Sequence, residues 1–169
     1  YAMDLTDVPS DAYYAEAVRW ALSQGITTGT ADGKFSPNAP CIRAQSMTFL
    51  FRASKASADG APAFGDVAAD AYYAEAVKWA TDNGITNGTT SSTFSPGSGC
   101  TRAQIVTFLW RSQKAPAAGA VNPFTDVKAD AYYADAVLWA VKEDVTKGTT
   151  DTTFNPNADC TRAQIVTFI

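Results

Sequence analysis

Arginine is the residue of this chain best placed to do chemistry. Arg43, Arg102 and Arg162 each open an Arg-Ala-Gln run and fall at the predicted first position of a helix. A guanidinium binds a carboxylate through two parallel hydrogen bonds, and a helix start adds free amides and the positive end of a dipole. Gln45, Gln104 and Gln164 follow two residues on, able to accept from or donate to hydroxyl groups. Asp7, Asp66 and Asp126 precede a different helix, where a carboxylate either caps backbone amides or lines a groove. Trp20, Trp79 and Trp139 sit on a helical stripe, so their indoles either pack in a core or stack on the flat face of a ligand. The adjacent tyrosines face the same choice. Tyr14, Tyr73 and Tyr133 read as core residues, and Tyr13, Tyr72 and Tyr132 as groove-edge residues.

Other chemistries find less support. Cys41, Cys100 and Cys160 occupy one equivalent position, and an odd number of thiols does not pair off within one chain. Histidine is absent, which removes the usual fourth zinc ligand and the usual base for a cysteine nucleophile. The three cysteines read as small buried side chains. No serine stands in a nucleophile elbow and no glycine-rich phosphate loop precedes a helix. For calcium, Asp32, the Ser91-Ser92 pair and Asp151 offer too few oxygens in series. The expectation is a non-enzyme without metal or cofactor.

The elements that must position these groups recur. Asp-Val, Tyr-Tyr, Trp, Phe-x-Pro, Cys and Arg-Ala-Gln return in the same order at intervals of about 60 residues, three times over. The repeats are taken as residues 4–53, 63–111 and 123–169, joined by Ala/Gly/Ser/Pro-rich linkers. In each, Tyr14-Val18-Ala21-Leu22 spacing predicts a first helix, with Tyr13, Ala17 and Trp20 as a second stripe beside it. Gly25 and Gly84 stand where a left-handed C-terminal cap is wanted, and Asp144 takes that place in repeat 3. A loop carrying Phe35, Phe94 or Phe154 follows, then a second helix. Thr101 and Thr161 begin capping boxes with Gln104 and Gln164, whereas Ile42 lacks the hydroxyl in repeat 1.

The whole pattern resembles the S-layer homology repeat of bacterial surface proteins. The residues that carry the likeness are Tyr73-Ala74-Glu75-Ala76-Val77, Gly84-Ile85-Thr86-Asn87-Gly88, Phe94-Ser95-Pro96 and Thr101-Arg102-Ala103-Gln104. The resemblance implies an all-α fold: three helix-loop-helix repeats packed as one pseudo-threefold unit with grooves between them. It also implies an extracellular, cell-surface location and a secondary cell-wall polysaccharide, often pyruvylated, as ligand. Arg43, Arg102 and Arg162, with nearby polar residues, would lie in those grooves. Arg102→Ala is then expected to weaken wall-polysaccharide binding while leaving helical content unchanged. Two departures stand out: all three copies carry Gln where the family favours Glu, and repeat 1 reads Ile42-Arg43-Ala44-Gln45.

Composition agrees with a folded module. Of 169 residues 46% are hydrophobic and 18% charged, with a formal net charge of -4. The basic stripe of a nucleic-acid binder is missing, and no apolar run reaches the ~20 residues of a membrane span. The start at Tyr1-Ala2-Met3-Asp4 does not read as a signal peptide, and the end at Phe168-Ile169 falls within a helix. The expected partners are a wall polysaccharide and the rest of a parent surface protein. The alternative is a self-associating module that builds a surface layer without binding glycan.

Overall fold

The computed structural model describes residues 5–27, 29–30, 33–58, 60, 64–117, 122–146 and 148–169. Asp4 and Ala63, taken above as the first residues of two repeats, and Asp32 of the first loop lie outside them. The described residues form six helices and no strands. They are α1 (Ala15–Ser23), α2 (Arg43–Ala53), α3 (Ala74–Asp82), α4 (Arg102–Ser112), α5 (Ala134–Lys142) and α6 (Arg162–Phe168). Odd-numbered helices open a repeat and even-numbered helices close it.

Alanine-rich sequence and an acid in the first turn (Glu16, Glu75 or Asp135) favour the odd helices. Each ends in a Schellman motif. In α1 the Gly25 amide donates to Leu22 and the Ile26 amide to Ala21, at 3.2 and 2.9 Å. The left-handed position has φ 69° at Gly25, 68° at Gly84 and 61° at Asp144. The even helices start with an extended N-cap. Thr101 and Thr161 complete a capping box, while Ile42 supplies only half of one, through its own amide to Gln45 Oε1.

Helices of seven to eleven residues are marginal alone, so packing must hold them. That packing runs between repeats: α2 lies on α3, α4 on α5, and α6 returns to lie on α1. At the centre the cysteine backbones close a cyclic set of hydrogen bonds. The Cys41 amide donates to the Cys160 carbonyl, Cys100 to Cys41, and Cys160 to Cys100, at 2.9 to 3.0 Å. All three thiols are buried and unpaired. Burial pushes the Cys41 thiol up, and Cys100 and Cys160 up to about 12. Around this axis Phe35, Phe94 and Phe154 are fully buried. The unit is a closed ring of three repeats.

Candidate functional site

The three arginines are core residues as much as site residues. Arg43, Arg102 and Arg162 are only 3%, 6% and 4% exposed. Each Nε donates to the loop carbonyl of the next repeat: Arg43 to Phe94 and Arg102 to Phe154 at 2.8 Å, Arg162 to Phe35 at 2.9 Å. Each guanidinium also lies between two rings of that repeat. Arg43 is 4.6 Å from the Phe94 centroid and 5.4 Å from Phe108, and the other two follow suit. Burial pulls all three guanidinium pKa values below their ordinary value, and neighbouring thiols oppose that shift. No carboxylate lies within 4.0 Å of any of them among the described residues, where Lys78–Asp82 is the one salt bridge. Since no buried side-chain polar atom there lacks a partner, the unbonded terminal nitrogens of Arg43 keep contact with solvent.

The helix-start amides expected to be free are already used. Arg43 and Ala44 donate theirs to Ser98 and Pro96, Arg102 and Ala103 to Ala158 and Pro156, and Arg162 and Ala163 to Ala39 and Pro37. The physical reason is ring closure, which brings a carbonyl-rich loop of one repeat onto the helix start of another. Anion binding at these positions would rest on side chains.

Those side chains line two equivalent clefts. The first, about 360 Å³, is bounded by Arg43 of repeat 1, by Gly88, Thr89, Gln104, Thr107 and Arg111 of repeat 2, and by Tyr132 of repeat 3. The second, about 330 Å³, is bounded by Arg162, by Gly29, Thr30, Gln45, Thr48 and Arg52, and by Tyr72. Each cleft therefore draws on all three repeats. A second arginine sits in each, steadied by a backbone carbonyl: Arg52 Nη1 donates to Ile26 at 3.0 Å, Arg111 Nη1 to Ile85 at 3.2 Å. Among the described residues neither cleft is lined by an acid. Gly88 is needed where it stands, because a Cβ would drive into the Thr93 carbonyl and the Phe64 ring. Around the third arginine, Arg102 Nη2 lies 3.5 Å from Thr146 Oγ1.

The aspartates clamp loops. Asp66 accepts from the amides of Phe94 and Ser95 at 2.9 and 2.8 Å, and Asp7 and Asp126 hold Phe35-Ser36 and Phe154-Asn155 in the same way. For Asp7 and Asp66, slight burial acts to raise the carboxyl pKa, but the amide donors outweigh it and hold the value low. The Phe94–Ser95 peptide is thus held from both sides, its carbonyl by Arg43 and its amide by Asp66. The tryptophans stand apart from both clefts. Trp79 and Trp139 are 9% and 8% exposed, Trp79 packing on Phe51 at 5.6 Å, and Trp20 is 40% exposed. Tyr72 and Tyr132 do reach the cleft edges, each set edge-on against its neighbour at 5.0 Å.

Arg52 and Arg111 are the residues that sequence reasoning missed. Their signal was present: Gln45, Thr48, Phe49 and Arg52 follow i, i+3, i+4, i+7 spacing and share one helix face, as do Gln104, Thr107, Phe108 and Arg111.

Comparison with known proteins accords with this architecture. The S-layer homology domain family matches residues 4–45, 63–106 and 123–166. The chain is 32% identical over 166 residues to the surface-layer 125 kDa protein of Lysinibacillus sphaericus, covering 95% of this chain and 14% of that protein. It is 33% identical over 114 residues to a cell surface protein of Thermoanaerobacter kivui, covering 63% of this chain and 15% of that protein. The chain thus spans about a seventh of the length of these curated relatives. No helix among the described residues is long and apolar enough to cross a membrane. On this evidence the chain belongs to the S-layer homology domain family, as three tandem copies of a bacterial cell-surface module.

Proposed function

We propose that this module holds its parent protein to the cell wall by taking the acidic substituents of a wall polysaccharide into the two arginine-bearing clefts. The observation that carries the reading is electrostatic. A chain of net charge -4 keeps two arginines in each cleft with, among the described residues, no acid in the lining and no carboxylate on the buried one. A buried cation without a counter-ion is costly. A ligand carboxylate, such as that of a pyruvate ketal, would offset that cost through charge-assisted hydrogen bonds. Tyr72 and Tyr132 at the rims offer flat faces to a sugar ring. Two weak sites on one rigid unit also raise retention well above that of one. Membership of a family of structural surface modules supports anchoring over catalysis.

The test uses Arg52, which is exposed, and Arg111, which is half-buried; both bear less of the fold than the buried Arg43. The Arg52→Gln/Arg111→Gln double variant should keep its helical circular dichroism and lose about tenfold in co-sedimentation with purified wall polysaccharide, since a hydrogen bond to a charged group is worth about 1.5–3 kcal/mol. Unchanged sedimentation would refute the cleft reading and favour self-association without glycan.

A further inference from the structure

We propose that a second subsite adjoins the first cleft and takes the neutral sugar next to the acidic one in the same polysaccharide chain. This inference rests on the clefts being sites for an acidic sugar.

The subsite is a cavity of about 410 Å³ that shares Arg111 with the first cleft. The backbone runs along both spaces as well: Ile85 lines the cavity, and the next residue, Thr86, lines the cleft. Arg111 Nη1 donates to the Ile85 carbonyl at 3.2 Å, which fixes the guanidinium at the junction. A ligand longer than one sugar, held by its acid in the cleft, has this cavity beside it.

The walls are held in place. They come from the chain just past α2, from the end of α3, and from the end of α4 with the residues that follow it. Past α4 the chain is left-handed at Lys114 and Ala115, with φ 67° and 50°. That conformation costs a residue other than glycine and persists where its surroundings impose it. The Trp110 indole pins the turn, its Nε1 donating to the Pro116 carbonyl at 2.8 Å. On the facing wall Asn83 Nδ2 donates to the Trp79 carbonyl at 2.8 Å, so that amide keeps one orientation.

The lining indicates the class of sugar. Its floor is apolar, made by Ala56, Ile85 and Trp79, and Trp79 serves the core and the cavity together. Its rim is polar and uncharged at Ser54, Asn83 and Gln113. An apolar surface ringed by a few amide and hydroxyl groups fits the C–H face and the hydroxyl or acetamido groups of a neutral pyranose. Among the described residues no acid lines the cavity. Nor do its cations call for a second anion. Arg111 serves the cleft, and Lys114 is exposed and keeps its water, unlike the enclosed Arg43.

The experiment uses three proteins, each carrying Arg52→Gln so that the second cleft contributes little. One has no other change and is the reference; the others add Asn83→Ala/Gln113→Ala or Trp79→Phe. The probes come from purified wall polysaccharide: the acidic monosaccharide, a short oligosaccharide that ends in it, and that oligosaccharide with its carboxylate converted to an amide. By isothermal titration the reference should bind the oligosaccharide about tenfold more tightly than the monosaccharide, the effect of a pair of added neutral hydrogen bonds. The oligosaccharide alone should shift the tryptophan fluorescence, and Trp79→Phe should lose most of that shift. The Asn83→Ala/Gln113→Ala protein should fold as the reference does, bind the monosaccharide equally and lose the gain from length. Equal binding of the two sugars by the reference, or a gain from length that survives Asn83→Ala/Gln113→Ala, would overturn the subsite. Equal binding of the acidic and amidated oligosaccharides would instead overturn the cleft reading beneath it.

Discussion

Replacing Arg43 by alanine should destabilise the whole ring, although Arg43 sits on the surface of a cleft. Three losses follow from the geometry. The buried Phe94 carbonyl loses a charged donor held at 2.8 Å, a bond of about 1.5–3 kcal/mol. The stacking over Phe94 and Phe108 goes, about 0.5–2 kcal/mol. Two or so buried methylenes go as well, at about 0.8 kcal/mol each. Against these stands a gain, because a cation without an acidic partner is no longer held out of water. A net loss of about 3 kcal/mol is expected, a large share of the 5–15 kcal/mol of an ordinary domain. Urea unfolding followed by circular dichroism measures it. With a slope of about 2 kcal/mol/M, the midpoint should fall by about 1.5 M. Arg43→Met, which keeps the stem, should lose less. A loss below about 1 kcal/mol for the alanine variant would show that the guanidinium serves the cleft alone, and that the inter-repeat staple is incidental.

Two smaller tests probe the frame. Asp144→Gly should raise stability by about 0.5–1 kcal/mol, because the cap has φ 61° and glycine meets no Cβ cost there; differential scanning calorimetry should show a rise of about 1–4 °C. Acid should unfold the protein through its loop clamps. Asp7 and Asp66 have pKa values lowered in the folded state, so their stabilisation is full above the unfolded value of about 4 and is lost as pH falls through the folded one. The melting temperature should stay level from pH 5 to 8 and drop below about pH 4, with a smaller drop in Asp66→Asn; an equal drop in that variant would place the acid-sensitive group elsewhere.

Much of the frame was legible in the residues. The repeat unit, the helix pairs, the left-handed caps at Gly25, Gly84 and Asp144, and the boxes at Thr101 and Thr161 depend on neighbours a few positions away. The site was less legible because its partners are distant. Arg162 bonds to Phe35, 127 positions away, and Asp7 holds amides 28 and 29 positions downstream. A residue type tells what a side chain can bond to. It does not tell which carbonyl arrives first, and so the arginines were expected in open grooves and proved to be mostly enclosed. Arg52 and Arg111 were hidden differently, since the apolar stripe of their helices drew the eye from the polar face.

The return of α6 onto α1 also bears on the order in which the unit can assemble. Contacts between the first and third repeats can form only once the third repeat has been made, and distant contacts of this kind slow folding. A nascent chain with two repeats made still has an open ring: Cys41 lacks the carbonyl of Cys160, and Phe35 lacks Arg162. The third repeat is thus what locks the other two: it supplies the Cys160 carbonyl to Cys41 and the Arg162 guanidinium to the Phe35 carbonyl.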